Sequence, residues 1–310
     1  MTATPLGPGP EFDRIRAIAG ALGDAAGGLG DDCAFLDDGW CVSIDATIEG
    51  THFRRGWLAP EEIGWRAAMA ALSDLAAVGA RPEAALVALA APPDEPTTTL
   101  SAVMAGLGAA VTEVGARVVG GDLSAGPVLA LTVTVLGRSD RPIRRRGARP
   151  GDELWVTGAL GGARAAWRAW DNGSSPTAAA RARFARPLAR IREGQWLAAN
   201  GATAMIDVSD GLAGDAEHLA RASAVGLEID LDRIPIDPAV LSDDRAVEAA
   251  KGGEDYELLV SVAIRAPQDP PPSAAAGTPL TRVGRVVSGA GVRFLRGGLA
   301  IPLTGFSHFR

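Results

Sequence analysis

Apolar and polar residues alternate most cleanly over residues 128–137, where Leu129, Leu131, Val133 and Val135 share one face. That period of two predicts a β-strand buried on one side. Residues 41–46 predict a strand arriving at Asp45, and 84–91 an Ala-rich buried strand. Residues 117–121 predict a short strand ending in Gly120-Gly121-Asp122. Helices are predicted over 12–22, 60–78 and 96–115; the second opens on Pro60 with Glu61 and Glu62 behind it, proline preset for the first turn and acids at the positive end of the dipole. A charged, Pro- and Gly-bounded connector over 138–150 marks a domain boundary. Beyond it the rhythm resumes: strands at 153–157, 204–208, 227–231 and 256–262, and helices at 160–170, 188–199 and from Ser209-Asp210-Gly211 to 225. Residues 266–279 are Pro/Ala-rich and predict a mobile loop. Strands and helices in both halves predict an α/β (α+β) protein of two domains, 1–138 and 139–310, each with its own core.

Composition narrows the function classes. A net charge of −7 argues against a nucleic-acid surface, which would need clustered cations. The apolar stretch around residues 65–78 is shorter than a membrane span and interrupted by Ser73-Asp74, and residues 1–10 carry neither a basic nor an apolar leader segment, so the expectation is a cytoplasmic protein without a membrane partner. Cys33 and Cys41 form no C-x-x-C and read as small core thiols.

Five short acidic segments hold the chemistry: Gly30-Asp31-Asp32, Ser43-Ile44-Asp45, Ser73-Asp74, Gly120-Gly121-Asp122 and Asp207-Val208-Ser209-Asp210-Gly211. Each sits where an apolar run ends or a helix begins, or, for Ser73-Asp74, inside an apolar helix, where a carboxylate must find partners. Crowded carboxylates ~4 Å apart repel by ~4 kcal/mol at an effective dielectric of about 20 and call for cations. Hard, short oxygen ligands suit Mg²⁺, usually completed by substrate phosphates. Lys251, the only lysine, is followed by Gly-Gly, so there is no P-loop, and no G-x-G-x-x-G opens a helix after a strand. The three histidines, His52, His218 and His308, have no zinc spacing. Phosphate would then be held by Mg²⁺, by backbone N–H groups at Gly-rich turns and helix starts, and by arginine forks among Arg144, Arg145 and Arg146. Taken singly, each segment also reads as an ordinary turn, and the arginine run as a solvated face.

In order along nearly the whole chain stand Gly28-Leu29-Gly30-Asp31-Asp32-Cys33-Ala34, Ser43-Ile44-Asp45, Ile48-Glu49-Gly50-Thr51-His52-Phe53, Leu72-Ser73-Asp74-Leu75-Ala76-Ala77-Val78-Gly79-Ala80-Arg81-Pro82, Gly120-Gly121-Asp122 and Arg145-Arg146-Gly147-Ala148-Arg149-Pro150-Gly151-Asp152. They are followed by Asp207-Val208-Ser209-Asp210-Gly211-Leu212, Gly252-Gly253-Glu254-Asp255-Tyr256-Glu257-Leu258 and Gly305-Phe306-Ser307-His308-Phe309. This set resembles the thiamine-monophosphate kinase family, within the superfamily of aminoimidazole ribonucleotide synthetase and selenophosphate synthetase. The resemblance implies a two-domain synthetase-like fold. Its N-terminal domains pair through a shared β-barrel in a homodimer, and its C-terminal domain is an α/β sandwich. It implies transfer of the ATP γ-phosphoryl group to thiamine monophosphate. Carried over residue by residue, Asp32, Ser43, Asp45, Asp74, Asp122, Asp207 and Asp210 would ligate Mg²⁺. Gly121, Asp122, Arg145 and Ser209 would touch ATP, with Asp122, Asp210 and Arg145 catalytic. His52, Glu254 and Phe306 would line the substrate pocket, Phe306 against the thiamine rings and Glu254 balancing the thiazolium charge.

Three departures from the family pattern stand at Ile44, Ala71 and Leu123-Ser124, where the family usually has Thr, Asn and Thr-Thr. They bear on the metal count and rate, not on the reaction class. An acceptor that is already a phosphate is ionised at pH 7 and needs no strong base, which agrees with so few histidines. The rival readings are a synthetase of the same superfamily acting on another substrate and a non-catalytic nucleotide- or Mg²⁺-binding relative.

Overall fold

A computed structural model describes residues 10–263 and 277–303. The elements of the first half are α1 (Pro10–Leu22), β1 (Ala34–Phe35), β2 (Trp40–Ile48), α2 (Pro60–Ala77), β3 (Arg81–Ala91), α3 (Thr97–Glu113), β4 (Arg117–Ala125) and β5 (Ala130–Arg138). The second half contains β6 (Glu153–Thr157), α4 (Gly162–Asp171), α5 (Ala178–Ala185), α6 (Ile191–Ala199), β7 (Ala202–Val208), α7 (Leu212–Ser223), β8 (Gly226–Asp230), α8 (Arg245–Lys251), β9 (Glu257–Val262), β10 (Leu280–Val287), β11 (Gly291–Arg296) and β12 (Leu299–Ile301). The strands of each half form one mixed sheet, in the orders β1-β2-β5-β3-β4 and β12-β11-β8-β10-β6-β9-β7. Within these sheets β3–β4 and β8–β11 pair in parallel and the other pairs are antiparallel.

α2 organises the molecule. Pro60 fills its first position, and the Glu62 carboxylate accepts the Ala59 N–H at 2.9 Å, which satisfies a donor the helix start leaves orphaned. Its Ala-rich sequence is apolar on almost every side, the pattern of a helix enclosed in a core rather than lying on a surface. Alanine and glycine also let neighbours approach closely. A Cβ on Gly64 would stand 1.8 Å from the Val103 carbonyl oxygen of α3, and one on Gly106 of α3 would stand 1.8 Å from that of Glu61. The α2–α3 crossing is therefore a backbone-to-backbone contact.

The two halves do not keep separate cores as the sequence led us to expect. The core built on α2, β2, β3 and β5 runs on into Ala163 and Ala166 of α4, Phe184 of α5, Leu197 of α6, Met205 of β7 and Val260 of β9. A second core, between the seven-stranded sheet and α7, belongs to the second half alone. Trp57 stacks on Trp170 at 4.7 Å between ring centroids, and Arg181 pairs with Glu62, both across the halves.

β4 is longer than expected. It continues through Gly120-Gly121 to Ala125 because a Cβ on Gly121 would meet the Val87 carbonyl oxygen at 2.1 Å; glycine here permits parallel pairing rather than ending the strand. Every residue of this edge strand is exposed. Among the described residues no helix is long and apolar enough to cross a membrane.

Candidate active site

The site gathers where the C-terminal ends of α2 and β7 meet the middle of β2. Asp32 comes from the loop before β1, Asp74 from the last turn of α2, and Asp207 from the end of β7; one carboxylate oxygen of each lies within 4.8 Å of the others. Ser73 donates to Asp207 at 2.7 Å and Ser43 on β2 donates to Asp74, so the paired hydroxyls each hold one carboxylate. The connector between the halves also enters. The Arg145 backbone N–H donates to Asp31 at 2.7 Å and its guanidinium to Asp32 at 2.8 Å, so the arginine run is no solvated face at this position. Ser223 on α7 accepts the N–H groups of Gly147 and Ala148 and donates to the Arg145 carbonyl, pinning the loop from behind.

The electrostatics are those of an acidic site short of positive charge. Burial, then the neighbouring Asp207 and Asp32 charges, push the Asp74 carboxyl well above the usual carboxylate range. Burial and Asp32 raise Asp207 to about 7. Asp32 is raised by burial despite Arg145 beside it. Its Oδ2 is buried with no hydrogen-bond partner. A buried carboxylate oxygen without a donor is costly, and a hard cation is the group that would satisfy it. The donor set therefore fits Mg²⁺.

Asp210 lies beyond this trio, at the start of α7. Its carboxylate groups with Asp215 and His218, and its backbone N–H donates to Asp215 at 3.1 Å. Neither partner was singled out as a site residue from the sequence, although Asp215 and His218 share one helix face. Burial lowers the His218 pKa to about 4, so the ring is neutral at physiological pH. Cys33, next to Asp32, is buried and its thiol points at the Asp74 carbonyl at 3.4 Å.

Asp45 lies on β2, His52 in the loop after it and Glu254 just before β9. Burial raises the Asp45 carboxyl, which also feels the charges of His52, Glu254 and Arg66. His52 Nδ1 accepts the Ile48 N–H at 3.1 Å, leaving the proton of the neutral ring on Nε2. Glu254 and Tyr256 both have positive φ, 69° and 53°, a backbone cost of roughly 1–3 kcal/mol each. Their N–H groups donate to the carbonyls of Ser209 and Val208, while Asp255 between them accepts the Gly161 N–H at the start of α4. The Gly-Gly-Glu-Asp-Tyr segment is thus no solvated turn; it is docked on the strand end that supplies Asp207.

One chain does not bring Asp122 to this site. Asp45 lies in register with Val133, Val87 and Gly121, and Asp122 in the next row, with Ala88. Adjacent residues face opposite sides of the sheet, and β4 is three strand spacings, roughly 14 Å, from β2. Ile44 and Leu123, two of the departures, are exposed, 65% and 66%, whereas Ala71 is fully buried in α2. Phe306 and His308 lie outside the described residues, as does most of the 266–279 segment.

The AIR synthase related protein N-terminal domain matches residues 30–139, and the C-terminal domain of the same name matches residues 149–295. A thiamine-monophosphate kinase of Halobacterium salinarum is 36% identical over 94% of this chain and 99% of its own. The chain belongs to the thiamine-monophosphate kinase family. A solved thiamine monophosphate kinase from Aquifex aeolicus superposes with a TM-score of 0.83 at 30% identity, covering 97% of this chain and 99% of that one. A structure described as AaThiL complexed with AMPPCP and TMP gives 0.85 at 30% identity, over 96% and 97%. The two-domain α/β fold with mixed sheets is the fold of this family.

Proposed function

We propose that the chain transfers the γ-phosphoryl group of ATP directly to the phosphate of thiamine monophosphate, giving thiamine diphosphate and ADP. The observation that carries this reading is the convergence of Asp32, Asp74 and Asp207 from both halves around an unsatisfied carboxylate oxygen, in a chain of this family. Relatives are named for this kinase activity, and one was solved with an ATP analogue and TMP.

Asp32, Ser43, Asp45, Asp74, Asp207 and Asp210 would hold Mg²⁺, and Arg145 and Ser209 would meet ATP, completing an N-terminal nucleotide and dimerisation domain with residues of the C-terminal one. When bound, Mg²⁺ neutralises phosphate charge and polarises the transferred group. The chain's own work is to place two anions in line and exclude water. The His52 Nε2–H can donate to the acceptor, Glu254 faces it, and Phe306 stacks on its cationic rings. No side chain needs to remove a proton from an ionised phosphate, consistent with the neutral, half-buried His218. Incubation with ATP, Mg²⁺ and thiamine monophosphate, followed by chromatography, should yield thiamine diphosphate and ADP in equal amounts. ADP without the diphosphate would reassign the acceptor within the superfamily, and bound ATP without ADP would make the chain a non-catalytic binder.

A homodimer is part of the reading. Val118, Val119 and Leu123 are exposed on edge strand β4, and Ile44, Ile48 and Leu86 on the strands of the same sheet. An exposed edge strand of nine residues that carries Val118, Val119 and Leu123 is a template for pairing. A second chain seated there would form the shared barrel and give Gly121 and Asp122 the neighbours that the single chain lacks. In sedimentation at micromolar concentration the wild type should run as a dimer and Val119→Arg as a monomer; a monomeric wild type would refute the pairing.

A further inference from the structure

Arg66 is the largest fully buried side chain among the described residues, and the mechanism so far does not use it. It sits eight residues before Asp74 on α2, about 12 Å along the axis. One arm of the guanidinium donates to the Phe184 carbonyl at 2.7 Å and the other pairs with the Glu254 carboxylate. The Phe184 ring centroid lies 3.9 Å from the guanidinium carbon and that of Tyr256 5.9 Å. Phe184 is in turn packed edge-on against the stacked Trp57 and Trp170. The fork is therefore locked before any ligand arrives. Its partner is not: Glu254 retains 30% side-chain exposure and stands at a left-handed backbone position that its own sequence does not favour.

We propose that Arg66 is a positioning residue for the phosphoryl acceptor, orienting Glu254 and cancelling its charge. This rests on the reading of Glu254 as a substrate contact and changes what that contact does. A carboxylate already paired with a buried guanidinium is a weak counter-charge for a ring cation, but an oriented acceptor for an N–H of the substrate. Specificity then comes from a hydrogen bond, which punishes analogues lacking the donor more than analogues lacking the charge. Because Arg66 and Asp74 share one rigid helix, the acceptor pocket and the acidic site keep a fixed separation.

Steady-state kinetics on the wild type, Arg66→Met, Arg66→Lys, Glu254→Gln and the Met/Gln double variant test this. Arg66→Met should raise KM for thiamine monophosphate by about 10- to 100-fold while KM for ATP and kcat change less than about threefold. Arg66→Lys should recover only part, because a point charge cannot hold both arms' partners. The double variant should be no worse than the poorer single, as expected for two residues acting through one contact. Equal effects on both substrates, or single effects that multiply, would make Arg66 merely structural and overturn the proposal. Should Arg66→Met not fold, a folded Arg66→Lys with unchanged KM for thiamine monophosphate would overturn it equally. A wild type that does not convert thiamine monophosphate would instead refute the kinase reading itself.

Discussion

Asp207→Asn is expected to cut phosphoryl transfer by roughly 10²–10³-fold, the scale of losing one preorganised electrostatic contact, while raising the melting temperature of the metal-free protein. The two effects have one cause. Asp207 is buried against Asp32 and Asp74, so its charge is unfavourable until a cation arrives; the amide keeps the Ser73 hydrogen bond and removes the charge. The sign with pH follows. With a folded pKa of about 7 against an unfolded value near 3.9, the native state binds the proton more tightly. The stabilisation this gives is fully present below about pH 4 and is lost as pH rises through 7. In EDTA, the melting temperature should fall between pH 5 and pH 8, less so in Asp207→Asn. Added Mg²⁺ should stabilise the wild type more at pH 8 than at pH 5, because cation and proton compete for the same oxygens. Thermal scans at the two pH values, with and without Mg²⁺, check all of this; identical profiles for wild type and variant would remove Asp207 from the metal site.

The second large effect concerns folding. Gly64→Ala should cost about 3 kcal/mol or more, because the new methyl group would meet backbone, 1.8 Å from the Val103 oxygen and 2.8 Å from the Leu107 nitrogen, and backbone has no rotamer to yield. Gly108→Ala, on the same helix α3 as Gly106 but with nothing within 4 Å, should be neutral or stabilising by up to about 1 kcal/mol. Urea titrations of the two variants separate a packing effect from a helix-propensity effect. Since α2 carries Arg66, Ser73 and Asp74, any Gly64→Ala protein that folds with α2 and α3 pushed apart should also lose activity.

Most of the first half was legible in the sequence because its strands and helices are bounded by the proline and glycine that form their ends. The site was partly legible for a different reason: Ser73-Asp74 inside an apolar helix had to find partners, and the fold, not the sequence, shows that these are Asp207 for Ser73 and Ser43 for Asp74. What was hidden is long-range. Arg66 is one cation in an alanine run, and only the fold shows that Phe184 and Glu254 surround it. Strands β10 and β11 were missed because Arg282, Arg285, Arg293 and Arg296 interrupt the apolar residues; ion pairs of the first three to Glu153 and Glu228 show these charges lying along the sheet rather than breaking it, and β12 has only three residues. α5 and α8, of eight and seven residues, are too short to show a period. Asp122 was read by proximity to Gly-Gly, and no local pattern says on which face of an edge strand an aspartate falls.

Both thiols are sealed in the first core, Cys33 at 2% exposure and Cys41 at none. Burial pushes the Cys33 thiol well above its usual range and Cys41 to about 11, so at neutral pH a labelling reagent finds neither access nor thiolate. Cys33 can react only when the segment joining it to Asp32 lifts from the end of α2. Its modification rate is then a clock for spontaneous opening of the acidic site, readable by mass spectrometry on the resting protein with no nucleotide and no acceptor present, and any cation that ties Asp32 to Asp74 should slow it.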